Sequence, residues 1–138
     1  MEFHHCDAAL SRAPGNALAS RARFGRVELG LRTTEHGGVP VVVLSGDLDI
    51  ATAPKVRDAV VKLATAGHLL AVVDLCEVEF LDSTGLGVLV GCLKRFRTLG
   101  GDLRLVATTD RVRKVFEITG LDRAFSLHDD LDLAVAPA

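Results

Sequence analysis

Phe80 to Gly87 reads F-L-D-S-T-G-L-G, an acid, two hydroxyls and two glycines set between an apolar run, L-L-A-V-V-D-L, and a long amphipathic segment ending at Leu99. At a strand-to-helix handover such residues admit three uses. Ser83 can be an N-cap, with Asp82 favoured by the positive end of the helix dipole and the glycines allowing close packing. It can be a catalytic nucleophile, or its hydroxyl can accept a regulatory phosphate. Catalysis lacks support, because the G-x-S-x-G elbow is absent and a serine needs a base within hydrogen-bond reach. Of the histidines, His4 and His5 lie in the N-terminal segment, His36 in a turn and His68 just after the first helix, which leaves His128, after the last strand, to approach. A nucleotide loop fares no better: G-x-x-x-x-G-K-[ST] is missing, and Gly85, Gly87 and Gly91 do not follow G-x-G-x-x-G. The phosphate-acceptor use fits the local chemistry. A phosphate at a helix N-terminus meets backbone N–H groups and the positive dipole end, so the fold tolerates it. Its added charge of about −1.5 to −2 beside Asp82 and Asp49 would nevertheless break a docked complex.

The elements that must position these residues follow from periodicity. Val27, Leu29 and Leu31 alternate with Glu28, Gly30 and Arg32, which predicts a half-buried strand from Arg26. His36-Gly37-Gly38 turns the chain into a second strand, Val39 to Ser45, as a hairpin. After the acidic loop Gly46-Asp47-Leu48-Asp49, Thr52 is set to cap a helix with Pro54 in its first turn and Val56, Val60, Leu63 and Ala64 on one face, ended by Gly67. Leu69 to Leu75 is nearly continuous aliphatic, as in a strand covered on both faces near the middle of a parallel sheet. A helix from Ser83 or Thr84 to Leu99 carries Leu86, Leu89, Val90, Leu93 and Phe96 as a stripe and stops at Gly100-Gly101. Leu103 to Ala107 is a further strand. Asp110 caps a helix through Val112, Val115, Phe116 and Thr119, and a short strand around Phe125 to Leu127 and a helix from Asp129 complete the chain.

This alternation predicts an α/β fold, a mixed, mostly parallel sheet of about five strands with about four helices packed on it. Functional groups in such sheets collect beyond the carboxyl ends of the strands. If the second and third strands are neighbours, Asp49, Asp82 and Ser83 share one end of the sheet.

With 138 residues, 49% of them hydrophobic, there is room for one core. We read residues 1–25, rich in Ala, Ser and Arg, as a flexible tail and residues 26–138 as the domain. A formal charge of −2 argues against nucleic acid or an anionic membrane as partner and in favour of a protein surface or a small molecule. Cys6, Cys76 and Cys92 show no C-x-x-C spacing, and the latter two fall in apolar segments as reduced core residues. No metal site or cofactor is expected. No run approaches the ~20 apolar residues of a membrane span, and no secretory h-region precedes the domain, so the expected location is cytoplasmic.

Three segments resemble the STAS domain of bacterial anti-sigma-factor antagonists: S-G-D-L-D-I-A-T-A-P (Ser45 to Pro54), V-V-D-L-C-E-V-E-F-L-D-S-T-G-L-G-V-L (Val72 to Leu89) and G-G-D-L-R-L-V (Gly100 to Val106). They stand in the right order and at the right separations, within a resemblance spanning roughly Val27 to Val135. The resemblance implies a STAS fold and a non-enzymatic regulator. Such a protein binds an anti-sigma factor that is also an ATP-dependent serine kinase, and so releases a sigma factor; phosphorylation breaks the complex and a phosphatase restores it. Carried onto this sequence, Ser83 is the phospho-acceptor, Asp82 the adjoining acid and Asp49 the acid near the acceptor that helps engage the kinase. Asp49, Asp82, Ser83, Thr84 and Gly85 form the implied partner-binding set. Thr84 stands where many relatives have a second serine and is a weaker alternative acceptor, while the N-terminal segment departs from the pattern. STAS domains of transporters and stress-sensing scaffolds supply an alternative, a scaffold or transport-accessory domain that binds proteins without being phosphorylated. The intact Asp-Ser pair favours the switch.

Overall fold

The hairpin Gly30–His36 (β1) and Val39–Leu48 (β2) opens a sheet completed by Leu70–Leu81 (β3), Asp102–Val106 (β4) and Leu127–His128 (β5) in a computed structural model that describes residues 28–136. The strands lie in the order β1-β2-β3-β4-β5, with β1 antiparallel to β2 and every other pair parallel. Three helices form the crossovers, α1 (Ala53–Thr65), α2 (Ser83–Thr98) and α3 (Asp110–Thr119), and α4 (Leu131–Val135) ends the described chain. This is the mixed, mostly parallel α/β sheet that the periodicity predicts. The tail at 1–25, and the predicted strand start at Arg26 and Val27, lie outside the described residues.

Successive right-handed crossovers that advance in one direction across a sheet put their helices on one face. The large core obeys this: Val42, Leu44, Val73 and Leu75 of the sheet pack with Val56 and Val60 of α1, Leu89 and Phe96 of α2, and Phe116 of α3. Strand alternation sends Val41, Val43, Val72 and Val106 to the opposite face, where the short α4 covers them with Leu131 and Ala134. β3 is therefore the middle strand and buried on both sides. At the edge the expectation fails: Leu31 sits opposite Leu44 on the face of the main core but is 36% exposed, at the outermost strand of the sheet.

Two further differences bear on the site. β2 and β3 do not stop at Ser45 and Leu75 but run on, paired, to Leu48 and Leu81. The added stretch is irregular. Val43 pairs with Asp74 and Ser45 with Glu77, so β3 carries one extra residue, and the Asp74 carboxylate accepts the Cys76 N–H at 2.9 Å. A second shift falls at Gly46, whose φ of 86° suits a residue without a Cβ. Asp47, Asp74 and Glu77 are buried in this stretch, so charges that read as the end of a strand belong to its interior.

The caps also move. Thr109, not Asp110, caps α3 by accepting the Val112 N–H, and Asp130, not Asp129, caps α4 by accepting the Leu133 N–H at 2.8 Å. Phe125, placed by the sequence in the last strand, is instead buried in the main core, edge-on to Phe116 at 5.9 Å between ring centroids.

Candidate functional site

Because β2 and β3 end in register, with Leu48 opposite Leu81, the residues that follow them leave the sheet side by side. The Asp82 N–H donates to the Leu48 carbonyl at 3.3 Å and extends the pairing by one residue. Asp49 and the Asp82-Ser83 pair thus share one end of the sheet, as expected. Gly85 holds them together from the helix side. A Cβ there would stand 2.8 Å from Leu48 Cγ and 2.9 Å from the Leu48 carbonyl, so only glycine lets the first turn of α2 sit on the end of β2.

Asp82, not Ser83, is the N-cap of α2. Its backbone is extended, its carboxylate accepts the Gly85 N–H at 2.9 Å, and its carbonyl accepts the Leu86 N–H at 3.0 Å. β3 carries extended geometry through Leu81, so Asp82 is the last extended residue and Ser83 the first helical one. The Ser83 side chain is left exposed at the first helical position. The amides of Ser83 and Thr84 are ones that a first helical turn cannot bond internally. Exposed hydroxyl, open amides and positive dipole end coincide at one residue.

The neighbouring junction is built differently. Thr52 begins α1 by position, yet its hydroxyl does not cap the helix: it accepts the Asp49 N–H at 2.9 Å and donates to the Asp47 carbonyl at 2.9 Å. No side chain caps α1; the Asp49 carboxylate instead closes the turn ahead of it, accepting the N–H groups of Ala51 and Thr52 at 3.0 and 3.2 Å. Asp49 is consequently fixed in orientation while remaining partly exposed.

No imidazole among the described residues can serve Ser83. His128 lies beside Val106, which lies beside Asp74, seven residues or about 23 Å along β3 from Leu81 at roughly 3.3 Å per residue. Burial, reinforced by the Arg104 charge, pushes the His128 pKa down. His36 is hydrogen-bonded to Asp132 at 2.6 Å, and His68 is exposed beyond α1; His4 and His5 lie outside the described residues. Cys76 and Cys92 are buried, as expected of core thiols.

The sequence gives no sign of a groove that begins beside this site. A cavity of about 510 Å³ opens between α1 and α2, lined by Thr84, Gly87, Val88 and Gly91 on one helix and Arg57 and Val61 on the other. Its walls come from helices separated in sequence by a whole strand, so no local pattern could mark it.

The sequence pattern of the STAS domain matches residues 31–134. The anti-sigma-B factor antagonist of Listeria monocytogenes is 40% identical over 95 residues, 69% of this chain and 81% of that protein. Its counterpart in Bacillus subtilis is 41% identical over 80 residues, 58% and 72% of the two chains. Among solved structures, an anti-sigma factor antagonist from Mycobacterium paratuberculosis superposes with a TM-score of 0.72 at 33% identity, covering 78% of this chain and 92% of that one.

Proposed function

The chain belongs to the STAS domain family, and within it we propose that this protein is a cytoplasmic, non-enzymatic anti-sigma factor antagonist switched by phosphorylation of Ser83. In its unmodified form it binds an anti-sigma factor serine kinase and frees the sigma factor held there. Phosphate on Ser83 ends the complex, and a phosphatase resets it. Neither nucleic acid nor membrane takes part; among the described residues no helix is long and apolar enough to cross a membrane. The switch resides in the domain at 26–138, with residues 1–25 outside it.

The observation that carries this reading is the exposed hydroxyl of Ser83 one residue after a capping aspartate, at the end of the sheet it shares with Asp49. Each side chain then has a role. Asp82 holds the first turn of α2, so Ser83 is presented on a rigid element. Asp49, locked by its own turn, offers a fixed acid to a cation of the partner. A kinase must bring the terminal phosphate of its nucleotide to the Ser83 Oγ. After transfer a phosphoserine faces the remaining phosphates of ADP, and the like charges oppose each other in a desolvated interface. On the antagonist's side the new phosphate sits among the open amides of α2, so the domain stays folded while the complex separates.

Incubation with candidate anti-sigma kinases and ATP should add the mass of one phosphate, mapped to Ser83. Ser83→Ala should abolish that gain and keep partner binding; Ser83→Asp should weaken binding in a folded domain. Labelling of Ser83→Ala equal to wild type, with Thr84 unlabelled, would refute the acceptor assignment. Partner binding with no phosphate transfer would instead favour a STAS scaffold.

A further inference from the structure

We propose that the outer face of the α1–α2 layer is a second, basic half of the docking surface, and that its groove receives an acidic, apolar-tipped segment of the same protein partner. This rests on the antagonist reading and extends it to residues remote from Ser83. The groove starts at Thr84, adjacent to the switch serine, and follows α2 to Arg95, eleven residues or about 16 Å of helix. Its floor is apolar and open. At both Gly87 and Gly91 a Cβ would meet nothing within 4 Å, and Val61 and Val88 supply the walls, so there is a seat for an incoming side chain.

Charge supplies the other half of the argument. α1 carries Lys55, Arg57 and Lys62 against one acid, Asp58, and α2 carries Lys94, Arg95 and Arg97 against none, in a chain whose formal charge is −2. Arg97 is turned away, hydrogen-bonded to the Ala124 carbonyl and beside Asp102. Arg57, in an exposed ion pair with Asp58 at 3.3 Å that a partner carboxylate would compete with, and Arg95 line the groove. Burial raises the Cys92 thiol to about 11 against the pull of both guanidiniums, so the two cations act on one point of the groove floor. A carboxylate laid between them, with an apolar side chain over Gly87 or Gly91, matches both the sign and the shape. The cations flank a concave apolar floor, with the acid Asp58 beside Arg57, which suits a protein segment better than the continuous phosphates of a nucleic acid or the plane of a membrane.

The test uses the full chain and the ADP-loaded anti-sigma factor of the bacterium that encodes it. Association is followed by surface plasmon resonance at low and high salt, with circular dichroism as the folding control. Arg57→Glu combined with Arg95→Glu should weaken binding about tenfold, chiefly through slower association, and the difference should shrink in high salt. Gly91→Gln fills open space without adding charge and should weaken binding severalfold at either salt. Wild-type affinity in both variants, with binding lost in Ser83→Asp, would remove the groove from the interface and leave the antagonist reading intact. If the wild-type protein binds no anti-sigma factor, both readings fall. If charge reversal instead releases the protein from phosphatidylglycerol vesicles while leaving anti-sigma affinity unchanged, the basic face serves an anionic surface and the proposal is overturned.

Discussion

The two junctions at the end of the sheet share residue types and differ in how the fold employs the hydroxyl. Each places an aspartate and a hydroxyl where a strand meets a helix: Asp49 and Thr52 after β2, Asp82 and Ser83 after β3. In each the aspartate carboxylate ties down backbone N–H groups just after it, in the turn ahead of α1 for Asp49 and in the first turn of α2 for Asp82. The hydroxyls differ. Thr52 is only 6% exposed and its oxygen bridges the Asp49 N–H and the Asp47 carbonyl, so it is a structural part. Ser83 is one residue beyond its aspartate rather than three, and this short spacing turns it outward into solvent. Motif composition alone does not make a hydroxyl a signalling site. What matters is whether the local fold has already used it.

Substitutions can break this comparison, and the largest effect is expected where the two junctions touch. Gly85→Ala forces a methyl against Leu48 Cγ and the Leu48 carbonyl, and should cost about 2 to 3 kcal/mol in chemical denaturation. A cost near zero would show that α2 does not seat on β2 as tightly as argued. Thr52→Val should follow at about 2 kcal/mol, because it strands the Asp49 N–H and the Asp47 carbonyl in a buried turn. Asp82→Ala removes one cap bond and should cost about 1 kcal/mol, read as a lower midpoint with an unchanged denaturant slope.

Ser83→Ala should be smallest, within about 0.5 kcal/mol of wild type. Its contrast with Thr52→Val is the sharpest discriminator: if Ser83→Ala destabilised as much as Thr52→Val, Ser83 would be a structural hydroxyl and the switch reading would lose its basis. Phosphorylated protein sharpens the same contrast. Its Tm should lie within about 2 °C of the unmodified form, since the phosphate meets open amides rather than displacing a bond.

Much of this was legible from residues alone, because the information was local. The β-branched apolar run in Val39–Ser45, aliphatic continuity in Leu69–Leu75 and the helical stripe from Leu86 to Phe96 each report the environment of a single element. The shared end of Asp49, Asp82 and Ser83 followed once β2 and β3 were neighbours. The cap assignments were less legible, since Ser83 and Asp110 are good cap types that each stand one residue after the true capping side chain, and Thr52 begins a helix that no side chain caps. Composition cannot choose among them; backbone direction on leaving the strand does.

By itself, then, the sequence determined the order of the elements, the α/β class and the D-S-T-G junction, since side-chain periodicity and turn chemistry act over a few residues. Tertiary structure decided where β2 and β3 end, because the residues beyond Ser45 and Leu75 stay extended only by bonding to each other across the sheet. It also decided that Asp82 caps and Ser83 is exposed, and that Arg57 and Arg95 meet over one groove. Those outcomes depend on hydrogen bonds and packing between segments far apart in the chain, and no single segment carries them.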